Sequence, residues 1–230
     1  MLILCDSKMP EPAKVKLAAY GEIVEFATEG ITYDAISGHP DIFFCPSPAG
    51  LIIAPNLPDN YFKILDQKGI RYTTGQLPVG PKYPESARYN ALFAGTMLIL
   101  NPDLSDPSIQ QLNPESEIIP VKQGYTRCSL VSLPNNTFVT SDHGIEKTLK
   151  QLDREVLFVD PSGIKLHSFD HGFFGGACAV YGDSLFICGS LKFFKEQELL
   201  LKFAEKAGVN IIELYDGPPV DVGTVMFLNS

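Results

Sequence analysis

His167-Ser168-Phe169-Asp170-His171-Gly172-Phe173-Phe174-Gly175-Gly176-Ala177-Cys178-Ala179-Val180-Tyr181-Gly182-Asp183-Ser184-Leu185-Phe186-Ile187-Cys188 begins a stretch that runs to Gly217 and reads as one complete unit. Two short apolar runs, 177–181 and 184–188, flank Gly182-Asp183, which is a hairpin signal. From Lys192 to Lys206 the apolar residues Phe193, Leu199, Leu200 and Phe203 recur at helical spacing among Lys and Glu, with Ala207 following on the same face. Ala207-Gly208 is a helix stop. Residues 209–214 then form a buried strand, closed by Asp216-Gly217-Pro218. The order is strand, turn, strand, helix, strand.

That order recurs. From His39 the chain gives strands over 41–45 and 51–55, a helix from Asp59 to Lys68 and a strand over 69–72. From Arg88 it gives 90–93, 97–102, a weak helix near Ser108–Leu112 and 117–121. From Thr126 it gives 128–131, a turn at Pro134-Asn135-Asn136, 137–140, a helix from Gly144 to Leu152 and 156–159. The period of roughly 40 to 50 residues is that of an internal repeat. A fifth copy is split across the termini: 220–228 is a first strand with no partner after it, and 2–6 is a second strand with no partner before it. The helix 12–20 and the strand 22–26 complete this copy. Pairing the terminal strands would remove two bare edges and close the array. The units are therefore placed at 38–75, 87–122, 125–160, 171–215, and 218–230 joined with 1–28, all in a single α/β domain.

The chain has 230 residues, 45% of them hydrophobic, which is ample for one core. A net charge of −9 repels phosphate backbones, so nucleic acid is not expected as a partner. The apolar runs are strand-sized, so no membrane partner is expected either, and no secretory leader is read at Met1. There are five cysteines and no C-x-x-C pair; Cys5, Cys45, Cys178 and Cys188 sit in apolar runs and read as buried thiols in a reducing compartment, with the cytoplasm as the expected location. No metal site is expected, because the four histidines are scattered and unpaired with cysteines. No cofactor is expected, because neither phosphate-binding glycine motif is present.

Five strand-strand-helix-strand units closed into a ring resemble the pentein, or α/β-propeller, fold. The most specific local piece runs from Thr126-Arg127-Cys128-Ser129 through Pro134-Asn135 to Ser141 and the helix after it, and it resembles the dimethylargininase hairpin and helix. The resemblance covers the whole chain as a pattern. It points to a bacterial branch near the guanidine-modifying enzymes: arginine and agmatine deiminases, dimethylargininase and amidinotransferases. The same fold also hosts a non-catalytic ribosome anti-association factor. The enzymes use a Cys nucleophile at the start of the fifth unit's first strand and a His at the start of another. Here those places read Pro219-Val220-Asp221-Val222-Gly223 and Gly124-Tyr125-Thr126-Arg127, so that covalent mechanism does not carry over.

In a closed ring the starts of the first strands converge on the axis. Those positions hold His39 and Asp41, Arg88 and Asn90, Arg127 and Cys128, Gly175 and Gly176, and Asp221. Convergent polar groups fit a ligand pocket, and they equally fit a hydrogen-bonded axial filling. His39 and Asp41, two residues apart, are candidates for a general base and its orienting carboxylate. Cys128 beside Arg127 is a candidate nucleophile, with a buried structural thiol as the plainer reading. Arg88 with Arg127 would clamp a carboxylate or phosphate, whereas Asp41 and Asp221 would hold a cation; together they suit an amino-acid-like zwitterion. Asp142-His143-Gly144 reads as a helix cap. Asp170-His171-Gly172 precedes the paired glycines, which makes His171 a candidate ligand residue or a loop residue on the rim. The expectation is a cytosolic protein binding a small charged, guanidine- or amino-acid-like molecule at the axis, with C–N bond hydrolysis left open. The alternative is a protein-interaction module, and a homo-oligomer or protein partner is left open with it.

Overall fold

The split repeat closes. In the computed structural model, which describes residues 1–229, β1 (Leu2–Asp6) lies between two partners. The strand β2 (Glu22–Phe26) runs parallel to it. The last strand, β15 (Met226–Leu228), runs antiparallel to it, with Leu4 opposite Met226.

Four further sheets repeat this arrangement from continuous chain. They are β3 (Phe44–Ser47) with β4 (Gly50–Ile53) and β5 (Tyr72–Thr74), and β6 (Leu92–Ala94) with β7 (Met97–Leu100) and β8 (Glu117–Pro120). Then come β9 (Leu130–Leu133) with β10 (Thr137–Thr140) and β11 (Glu155–Phe158), and β12 (Cys178–Tyr181) with β13 (Ser184–Ile187) and β14 (Asn210–Glu213). In each, the first two strands form an antiparallel hairpin and the third returns parallel to the second. A parallel return needs a crossover, and a helix supplies it: α1 (Glu11–Leu17), α3 (Asp59–Gln67), α4 (Pro107–Gln111), α6 (His143–Gln151) and α7 (Gln197–Lys206). The first strands β3, β6, β9 and β12 touch in succession, so these four sheets turn their first strands inward.

Two first strands begin later than their sequence suggests. Residues 41–43 and 128–129 belong instead to single helical turns, α2 (Pro40–Phe43) and α5 (Thr126–Ser129). Pro40 at the first position of α2 fixes φ in the helical range and has no N–H to leave unpaired. The terminal strand read over 220–228 narrows to Met226–Leu228, because Gly223 and Thr224 both take left-handed φ values, 61° and 66°, and turn the chain toward the axis. The helix read from Lys192 starts at Gln197, after a 3₁₀ turn over Leu191–Phe193.

Aromatic packing joins the first and second units. The buried Phe26 ring lies 5.4 and 5.3 Å from Phe43 and Phe44 and 4.7 Å from Tyr61. Burying one such ring contributes about 2–3 kcal/mol, so the closed ring is held by side chains as well as by strand pairing. Among the described residues no helix is long and apolar enough to cross a membrane.

Candidate ligand site at the ring axis

The short turns before the first strands point backbone groups at the next unit. The Asp41 N–H donates to the Gly223 carbonyl at 3.2 Å, and the Val222 N–H donates to the Gly176 carbonyl at 3.1 Å. The Gly176 N–H donates to the Cys128 carbonyl at 2.7 Å. The Cys128 N–H donates to Asn90 Oδ1 at 3.0 Å, and Asn90 Nδ2 donates to the Asp41 carbonyl at 3.1 Å. These bonds run through all five units and return to their start, so the set of polar positions at the strand starts forms a clasp. Asn90 is the one member that closes its two links with a side chain.

The clasp requires backbone to approach backbone. A Cβ on Gly175 would lie 2.2 Å from the Arg127 carbonyl, and one on Gly176 would lie 2.0 Å from Asp221 Oδ1. The paired glycines therefore admit the neighbouring unit.

Three carboxyls and one imidazole fill the centre. His39 Nε2 lies 3.7 Å from Asp6, and its Nδ1 lies 3.8 Å from Asp221. Asp41 receives the Cys128 thiol at 2.9 Å on one oxygen. Asp221 accepts from the Phe173 N–H at 2.8 Å and the Gly223 N–H at 3.0 Å. Burial raises the pKa of Asp6 and Asp41 and pushes Asp221 up to about 6. Burial also lowers the pKa of His39, although Asp41 and Asp6 pull the other way. The Cys128 thiol is raised well above its ordinary value, first by burial and then by Asp41 and Asp221. Arg127 does not activate Cys128; the thiol donates to a carboxylate and remains a thiol. Two atoms here have no partner, His39 Nδ1 and Asp41 Oδ1.

Arg127 behaves differently. It is half-buried, and its Nε is shut off from solvent without a hydrogen-bond partner. Among the described residues its one side-chain contact of hydrogen-bonding length is a long one, 3.4 Å from Nη2 to Thr224 Oγ1. No carboxylate lies within ion-pairing distance of it among the described residues. Arg154 Nε is likewise unpartnered, but that residue does not line the cavity at Arg127. This cavity measures about 330 Å³. It reaches from the hairpin turns at Gly95 and Pro134 inward to Arg127, Gly175 and Thr224, walled by β6, β9 and β12. Those walls mix apolar side chains, Leu92, Leu130, Leu133, Ala179 and Val180, with the polar groups of Arg127, Ser132 and Thr224.

The remaining sequence candidates lie apart from this cavity. Arg88 turns to the Pro78 carbonyl and lies 3.9 Å from Glu85, so it does not join Arg127 in a clamp. His171 is exposed on the rim, 2.9 Å from the Gly172 carbonyl. His143 stacks on Phe158, and Asp142 caps α6 through the Ile145 N–H. Of the residues named from the sequence, Arg127 and Gly175 line the cavity; His39, Asp41, Asn90, Gly176 and Asp221 are packed beside it. Asp6 and Thr224 belong to this centre and were not singled out. The available signal for Asp6 was a carboxylate ending a wholly apolar strand. Among the described residues no group of three or more His, Cys, Asp or Glu is placed to hold a metal ion.

Residues 4–226 match a family of unknown function (DUF6873), and the chain belongs to that family. No curated protein matches the sequence. Solved structures match along nearly the whole chain. The DDAH of Pseudomonas aeruginosa, in complex with citrulline, is 10% identical with a TM-score of 0.54, covering 92% of this chain and 91% of that one. An amidinotransferase from Microseira wollei is 13% identical with a TM-score of 0.54, covering 92% and 87%. The agmatine deiminase of C. jejuni is 12% identical with a TM-score of 0.54, covering 93% and 74%. At such identities the likeness establishes the fold, and the chain has the pentein fold.

Proposed function

We propose that this member of the family binds a small carboxylate-bearing molecule, amino-acid-like in size, in the cavity at Arg127, and that it does so without a covalent step. The observation that carries this is the Arg127 guanidinium on the cavity, its Nε without a hydrogen-bond partner and no carboxylate within ion-pairing distance among the described residues. A half-buried cation without a carboxylate in contact with it is costly, and a carboxylate is the complementary group that a guanidinium holds best. A guanidine-like ligand fits less well, because Asp6, Asp41 and Asp221 do not line the cavity. Catalysis of the guanidine-modifying kind would need a thiolate and a mobile imidazole, whereas Cys128 is a buried thiol and His39 is walled in between acids. The five cysteines are free and buried, which supports a reducing compartment and hence the cytoplasm.

The test is thermal stabilisation by a panel of small carboxylates, amino acids and guanidines. A binder at a hundred times its dissociation constant adds about 2.7 kcal/mol. Carboxylates should stabilise the protein, Arg127→Met should abolish the effect, and guanidines should yield no product. Stabilisation that survives Arg127→Met would refute the reading.

A second reading rests on the other end of the axis. There Tyr83 and Phe169 are each 52% exposed beside Tyr125 and Tyr33. Such a patch supports docking of a protein. Under the first reading, Tyr83→Ser with Phe169→Ser leaves carboxylate binding unchanged.

A further inference from the structure

We infer that the occupant of the Arg127 cavity is the carboxyl end of a short peptide, two or three residues long, lying extended along β9; this rests on the carboxylate reading above. The Ser129 carbonyl accepts the Ser141 N–H, so the next residues facing β10 are Val131 and Leu133. Ser132 lies between them and turns its N–H and C=O toward the cavity that it lines. Across the cavity the Ala177 carbonyl accepts the Cys188 N–H, which by the same alternation turns Cys178 and Val180 away from β13. The Cys178 carbonyl takes the Thr224 hydroxyl at 2.7 Å, which leaves Val180. The strands β9 and β12 belong to separate sheets and form no ladder with each other. Two free strand edges thus face one half-open cleft, with a lone guanidinium at its inner end.

A simple fatty or aryl acid would satisfy Arg127 and leave the edge groups of Ser132 and Val180 dry, at a cost for each. An extended peptide supplies donors and acceptors at strand spacing, which is the physics of strand addition. Its terminal carboxylate meets Arg127, and a small apolar last side chain meets Leu130, Leu133 and Ala179. The volume of about 330 Å³ is near the lower limit for ligand pockets, which holds the peptide to a few residues.

The experiment is calorimetry on the whole chain with four probes: acetyl-Gly-Ala-Val free acid, its C-terminal amide, the same acid N-methylated at its central amide, and octanoate. The free acid should bind at least tenfold more tightly than each of the other three. Ser132→Pro removes one edge N–H at a position where an edge strand tolerates proline, and it should lower affinity for the free acid tenfold or more. Octanoate binding as tightly as the free acid would overturn the peptide inference and leave the Arg127 reading standing. Equal binding of acid and amide, or full affinity after N-methylation, would also overturn it. Failure of both the free acid and octanoate to bind would overturn both readings.

Discussion

Asp221→Asn tests the physical state of the axis. Burial moves the carboxyl of Asp221 from 3.8 to about 6. Ionising it inside the fold therefore costs about 3 kcal/mol more than in the unfolded chain, at about 1.4 kcal/mol per pH unit. Between those two values the folded protein holds a proton that the unfolded chain has lost. The contribution of Asp221 to stability is thus highest below about pH 4, falls as pH rises to about 6, and is level above that. Asp6 and Asp41 have the same sign, because their pKa values are also raised. His39 has the opposite sign: its pKa is lowered, so stability is lost as pH falls below its unfolded value of 6.5. The wild-type profile mixes these slopes, and the comparison with Asp221→Asn isolates one of them. The amide mimics the protonated acid and does not titrate. It gives up one of two backbone bonds, from Phe173 or Gly223, at a pH-independent cost of about 1–2 kcal/mol. Relative to wild type, the variant should gain about 2.5 kcal/mol between pH 4 and pH 7. Urea unfolding of dilute protein, followed by circular dichroism at each pH, measures this directly. A difference between the two proteins that stays constant from pH 4 to pH 7 would refute a buried, reluctantly ionised Asp221.

Gly176→Ala places a Cβ 2.0 Å from Asp221 Oδ1 inside the clasp and should cost about 3 kcal/mol or more by thermal unfolding. Gly182→Ala, at φ +60° with no atom near, should cost only about 1 kcal/mol. All five thiols are buried, so a disulfide exchange reagent should titrate none of them quickly in the native protein and all five in denaturant. One fast native thiol would contradict an inert Cys128. Phe26→Ala should destabilise by about 3–5 kcal/mol, because its ring fills the seam between two units.

The repeat was legible because strands and helices leave different periods in the chain, and because closure follows from two unpaired terminal strands. Leu4 does face Met226. The equivalence of Asp41, Asn90, Cys128, Gly176 and Asp221 was legible for the same reason. Their partners were not. Asp41 and Cys128 are 87 residues apart, and nothing local says whether a polar group faces a ligand or the next unit. Adjacency misled at Arg127 and Cys128: in one turn of helix, neighbouring side chains diverge, so the guanidinium lines the cavity while the thiol faces Asp41. Asp6 was not legible because its partner His39 is far away in the chain, and a carboxylate at a strand end is by itself an ordinary solvent-facing residue.

The most direct measurement is the proton–nitrogen spectrum of the arginine Nε–H groups during titration with acetyl-Gly-Ala-Val free acid and, separately, octanoate. The Arg127 signal, assigned by its loss in Arg127→Lys, should shift saturably with at least one of them, while Arg71, Arg88 and Arg154 stay in place. Saturable binding that leaves the Arg127 signal unmoved, or no saturable shift with either carboxylate, would contradict an anion site at the axis.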